Sequence, residues 1–256
     1  MPERAARQPR ESGLIGRATA RPGLLYRLFR LAFGLLGRLL FRIEVQGIEN
    51  LPRDAAGAPA GGWICCGLPH RTWSEPFVLM LSLPARPRLF MLGEGPTIFG
   101  SAWRAFLIRR VGGAVPVWRG SGAAGFEAIG RAVSQVIAVG GVFAVFPEVG
   151  RAARPPELRR VSPGFARLAQ RSGARVVPVV FGGTHDLYLR RRITVRILPP
   201  LDPPPATAGR ADIEAYVGEL LDSLAAPLAE AHAAAESGAP RRRRWRWLQA
   251  GFPRSE

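Results

Sequence analysis

Trp63-Ile64-Cys65-Cys66-Gly67-Leu68-Pro69-His70-Arg71-Thr72-Trp73-Ser74-Glu75 joins an apolar run to a polar turn carrying one histidine and one carboxylate. Trp63 to Cys66 reads as a buried strand, and the stretch from Pro76 to Leu83 as the helix after it. His70 and Glu75 therefore stand at a strand exit, where the next helix begins. Histidine titrates near neutrality and can take a proton from a hydroxyl at physiological pH. A carboxylate beside it can fix the ring tautomer and stabilise the imidazolium that forms.

Working outward, short β-branched or apolar runs alternate with helical stretches. Strands are expected at Arg42 to Gly47, Trp63 to Cys66, Arg88 to Leu92, Ala114 to Trp118, Val142 to Phe146, Val176 to Phe181 and Ile193 to Leu198. Helices are expected at Pro76 to Leu83, Thr97 to Arg109, Gly122 to Val139, Pro163 to Ser172 and Ala211 to Glu236. Pro227 should kink or split the last of these. Such alternation predicts a single α/β domain with a mostly parallel or mixed central sheet flanked by helices. The expected organisation is a basic N-terminus with an amphipathic helix (1–41), an α/β domain (42–236) and a basic tail (237–256).

A chain of 256 residues with 47% hydrophobic content can bury a substantial core. The only cysteines, Cys65 and Cys66, are adjacent and read as small buried residues in a reducing compartment. No apolar segment with a small-residue cleavage site opens the chain, so no secretory signal is expected. The 36 basic residues, all arginine, outweigh 19 acidic ones and give a net charge of +17. A surface of this kind seeks polyanions, either nucleic acid or an anionic membrane face.

The placement of the arginines separates those partners. From Leu24 to Phe41, a helix would set Arg27, Arg30, Gly34 and Arg38 on one stripe. Leu24, Leu25, Leu28, Phe29, Leu31, Leu35, Leu36, Leu39 and Leu40 would form a wide apolar arc. Arginine interrupts the run too often for a membrane span. The expected state is a helix in the bilayer interface with its arginines at the headgroups; the competing one is a helix packed on the core. Arg241-Arg242-Arg243-Arg244-Trp245-Arg246-Trp247 suits the same anionic lipid surface.

Two further strand ends carry charge. Val111 to Arg119 reads as a short strand ending in Arg119. Gly141 to Arg151 is an apolar strand with a Pro turn followed by Glu148 and Arg151. In open α/β sheets the carboxyl ends of strands form the ligand crevice. A base and two guanidinium forks suit hydroxyl chemistry on a phosphate-bearing substrate.

These blocks resemble, in order, those of the glycerolipid acyltransferases of the 1-acylglycerol-3-phosphate (lysophosphatidic acid) acyltransferase type. That family's first block, His, four residues, then Asp, is matched by His70 to Glu75, with Glu in place of Asp and Thr72 where Ser is usual. Arg119 matches the second block. Phe146-Pro147-Glu148-Val149-Gly150-Arg151 is similar to the third, Phe-Pro-Glu-Gly-Thr-Arg, and Val177-Pro178-Val179 to the fourth. The resemblance runs from about Leu24 to about Leu198. It implies an O-acyltransferase of phospholipid synthesis in which His70 is the general base and Glu75 orients it. Glu148, Arg151, Arg119 and Thr72 would bind substrate. It further implies acyl-CoA or acyl-carrier protein as donor, a lysophospholipid as acceptor, no cofactor, and a peripheral or monotopic place on the cytoplasmic face of the cell membrane.

No metal site is expected from ligand spacing, and His185-Asp186 reads as a structural or loop feature. The alternatives are an acyltransferase for a different lipid or glycolipid acceptor, or a non-catalytic lipid- or nucleic-acid-binding protein. Nucleic acid is not the expected partner, since no binding motif accompanies the charge.

Overall fold

The computed structural model describes residues 21–94, 101, 113–117, 122–149 and 157–237. The expected helix at Thr97 to Arg109, the residues Arg119 and Arg151, and the Arg/Trp tail lie outside them.

Among the described residues there are nine strands: β1 (Phe41–Gln46), β2 (Trp63–Leu68), β3 (Leu89–Glu94), β4 (Ala114–Val117), β5 (Val142–Val145), β6 (Glu148–Val149), β7 (Arg160–Val161), β8 (Val176–Gly182) and β9 (Arg191–Ile197). Seven form one sheet in the order β1-β9-β8-β2-β5-β3-β4, and β6 pairs with β7 in a separate antiparallel hairpin. All pairings in the large sheet are parallel except β8 with β9. The sheet is mixed, as expected, and β2, β8, β5, β3 and β4 all point their carboxyl ends to one edge.

The helices are α1 (Leu24–Leu40), α2 (Glu75–Ser82), α3 (Gly122–Ala138), α4 (Gly164–Ser172) and α5 (Arg210–Glu236). Both faces of the sheet are covered, which explains why β2, β5 and β8 are buried along their whole length. Adjacent side chains on a strand point to opposite faces, so Cys65 and Cys66 enter different cores. Cys65 packs with Val78, Leu79, Val177 and Val179 beneath α1 and α2. Cys66 packs with Val133, Phe165, Leu220 and Leu224 beneath α3, α4 and α5. Both thiols are free, and burial pushes their pKa values upward.

Two expectations are narrowed by the structure. Helix α5 runs unbroken for 27 residues with Pro227 inside it. Leu220, Leu224, Leu228 and Ala231 are buried along that face, and this packing holds the helix together past the missing N–H. Helix α1 is two-sided, with one side packed on the core. Tyr26 is 1% exposed and Gly37 is buried, and Phe33 stacks on Phe29 at 5.3 Å and on Phe77 of α2 at 5.1 Å. Arg30, expected at the headgroups, turns inward: its Nη2 donates to the Leu83 carbonyl at 2.5 Å, and its guanidinium lies over Tyr26. The opposite side keeps Leu24, Leu25, Leu28, Leu31, Leu35, Leu36 and Leu39 exposed, from 45% to 70%. Among the described residues no helix is long and apolar enough to cross a membrane.

Candidate active site

The chain leaves β2 through Leu68-Pro69, turns over five residues and enters α2 at Glu75. Gly67 lets Phe146 approach the end of this strand: a Cβ there would stand 2.5 Å from the Phe146 ring. Phe146 then lies against the His70 ring, centroid to centroid 4.5 Å, and forms one wall for the imidazole. The His70 side chain is 37% exposed, whereas that of Glu75 is fully buried.

Glu75 is the first residue of α2, so its carboxylate also lies at a helix N-terminus, which favours negative charge. Its Oε2 accepts the Thr72 backbone N–H at 2.8 Å and stands 3.4 Å from His70 Nδ1. That contact is charge-to-ring proximity rather than a formed hydrogen bond, since Nδ1 and Glu75 Oε1 are both buried without a hydrogen-bond partner. Contacts of this kind often tighten only when substrate binds. Nδ1 faces Glu75, which leaves Nε2 as the nitrogen available for proton transfer.

Glu148 arrives on β6, just beyond β5, the neighbour of β2. Its Oε2 accepts the His70 backbone N–H at 2.7 Å, and its Oε1 accepts the Arg159 backbone N–H at 2.9 Å. Both oxygens hold main chain, so Glu148 clamps the His70 turn to the segment before β7. The Thr72 hydroxyl is likewise engaged within the turn: it lies 2.6 Å from Ser74 Oγ and accepts the Ser74 N–H at 3.2 Å.

Sequence reasoning missed Arg71 and Arg159. Arg71 Nη2 donates to the Glu157 carbonyl, and Arg159 is tied through its N–H to the same carboxylate as His70. Burial pulls the Arg71 pKa down, Glu148 opposes that, and the nearby positive charge of Arg159 adds to it. Two guanidiniums therefore share the corner next to the histidine. The signal available in the sequence was adjacency alone, His70-Arg71, which carries little weight without the fold. Strand β4, which leads toward Arg119, lies three strands from β2 in the sheet order, about 14 Å at the usual strand spacing.

A catalytic-type histidine, a buried carboxylate against it and cations around it, all at the carboxyl ends of parallel strands, define a group-transfer site on an α/β sheet. The acyltransferase family model matches residues 42–182, more than half of the chain. The protein therefore belongs to the acyltransferase family and is an acyltransferase. Its fold is similar to the crystal structure of the 1-acyl-sn-glycerophosphate (LPA) acyltransferase PlsC from Thermotoga maritima, with TM-score 0.55 and 19% sequence identity over 79% of this chain and 81% of that one. Among curated proteins none matches.

Proposed function

We propose that the chain is a membrane-associated O-acyltransferase moving a fatty acyl group from acyl-CoA or acyl-carrier protein to a hydroxyl of a lysophospholipid such as 1-acylglycerol-3-phosphate. The observation that carries this reading is His70 Nδ1 at 3.4 Å from the wholly buried Glu75 carboxylate, with the imidazole itself open to solvent.

In this mechanism His70 Nε2 takes the proton of the acceptor hydroxyl as its oxygen attacks the thioester carbonyl. The Glu75 carboxylate stabilises the imidazolium through Nδ1–H. The tetrahedral intermediate collapses with cleavage of the C–S bond, and the proton on His70 passes to the departing thiolate. No acyl-enzyme forms, because the acceptor oxygen is itself the nucleophile. Arg71 and Arg159, in place of Glu148, supply positive charge for a phosphate beside His70. Arg119 and Arg151 remain proposed phosphate contacts on the strength of the motif resemblance. The solvent-facing leucines of α1 would insert shallowly, with Arg27 and Arg38 exposed beside them at the headgroups. A soluble thioester and a bilayer-held acceptor would then meet at the interface.

Thiol release from palmitoyl-CoA, measured on liposomes with and without 1-acylglycerol-3-phosphate, tests the reading. It expects acceptor-dependent release with phosphatidic acid as the product by mass spectrometry. Release that ignores every lysophospholipid offered would defeat it.

A further inference from the structure

Among the described residues, His185, His232 and Glu236 bring their ligating atoms within 4.8 Å of one another. We propose that these three side chains form a binding site for a late first-row divalent metal ion, with zinc as the representative, at the C-terminal end of α5.

The placement comes from two elements. His232 and Glu236 are four residues apart on α5 and so share one face of the helix. That face meets β9, where Thr194 Oγ1 donates to the Ala231 carbonyl at 2.8 Å and Arg191 Nη1 to the Ala235 carbonyl at 3.0 Å. His185 comes from the turn after β8, with its Nε2 3.8 Å from Glu236 Oε1. The two imidazole rings lie 5.6 Å apart. Two of the chain's three histidines are gathered here, and acyl transfer uses neither.

The donor set selects the metal. Two imidazoles and one carboxylate suit zinc, cobalt or nickel and not the hard oxygen-seeking calcium or magnesium. Tetrahedral zinc with bonds of about 2.0–2.1 Å separates its ligand atoms by about 3.3–3.4 Å. The cluster must therefore contract by about 1.5 Å at most, within reach of side-chain torsions.

The second shell is in place. Arg191, 1% exposed, donates to Glu236 and to the Gly183 carbonyl and Tyr188 hydroxyl, fixing the carboxylate. Its positive charge works against a cation, while Asp186, 3.7 Å from His185 Nε2, works for one. That balance sets the expected affinity below that of cysteine-rich structural zinc centres. A bound ion would tie the last turn of α5 to the β8–β9 turn.

The test uses the full chain, stripped of metal and titrated with zinc chloride by calorimetry, with cobalt chloride as a visible-absorption probe. One equivalent should bind, and zinc should raise the melting temperature. H185A and H232Q should each weaken zinc by about tenfold or more, and H70A should bind as the wild type does. Glu236→Gln also breaks the Arg191 pair, so the histidine variants carry the decision, with circular dichroism verifying their fold. Absence of a bound equivalent, equal affinity for magnesium, or zinc binding that survives H185A/H232Q would overturn the proposal.

Discussion

Two histidine–carboxylate corners stand on neighbouring strands of the same sheet. His70 follows β2 and His185 follows β8, and the strands run parallel with Leu68 opposite Val180. At the first corner the carboxylate is fully buried, holds the turn through the Thr72 N–H and faces an imidazole that is 37% exposed. At the second the carboxylate Glu236 is bound by a buried guanidinium, and the imidazole is 23% exposed. Burial pushes the Glu236 pKa up, but the hydrogen bond and charge of Arg191 outweigh it, and the net direction is down. The lesson is that a histidine beside a carboxylate defines no chemistry by itself. A general base needs one nitrogen open to substrate and a carboxylate facing the other; a ligand cluster needs several donors converging.

Breaking the first corner should give the largest effect. His70→Ala is expected to lower turnover about 10²-fold or more, the usual cost of losing a general base, with the fold intact by circular dichroism. Turnover near wild type would remove His70 from the chemistry.

Changing the partner should cost less, because the 3.4 Å contact is longer than a formed hydrogen bond. Glu75→Gln is expected to lower kcat by about tenfold to hundredfold, less than amide replacement costs in the serine-protease triad. Glu75→Asp should be milder than Gln. A Gln variant with normal kcat would reduce Glu75 to a helix-start residue.

The clamp behind the histidine sharpens the comparison further. An amide at Glu148 can accept only one of the two N–H groups now held, and an unmet buried donor costs about 1–3 kcal/mol, with less expected for these half-buried ones. Glu148→Gln should therefore lower kcat about tenfold while the acceptor KM stays within about twofold. A raised acceptor KM with kcat preserved would return Glu148 to the substrate-binding role that the motif resemblance implies.

Most of this architecture was legible in the sequence. The apolar runs that became β2, β5 and β8 were visible because strands buried on both faces are nearly continuous in hydrophobicity. Observed ends differ from expected ones by one or two residues, as at β2, which continues from Cys66 to Leu68. The β6–β7 hairpin was not legible: two residues on each side carry no periodicity. His70 and Glu75 stood out because they are close in sequence. Arg159 and the cluster of His185 with His232 did not, since only the sheet and α5 bring those positions together. The duties of Arg30 and Glu148 were hidden for a related reason: a main-chain partner leaves no mark in a side-chain pattern.

A separate expected effect, on membrane binding rather than turnover, concerns α1. Its inner side is fixed by Tyr26, Phe33 and Gly37, so replacing Leu28, Leu31 and Leu35 by Ser should leave the fold unchanged. Liposome flotation should then fall by about tenfold or more, since a buried leucine is worth roughly 1.5–3 kcal/mol and each would insert only in part. Unchanged flotation would show that this arc does not meet lipid.

The most direct test of the account is a double-mutant cycle at the first corner, with acceptor-dependent thiol release measured for His70→Ala, Glu75→Gln and the pair. If Glu75 acts only through His70, the double variant should be no slower than His70→Ala, within about twofold, as for residues that work as a unit. Losses that multiply would mean that the two side chains contribute independently, and the acid/base pair would not exist.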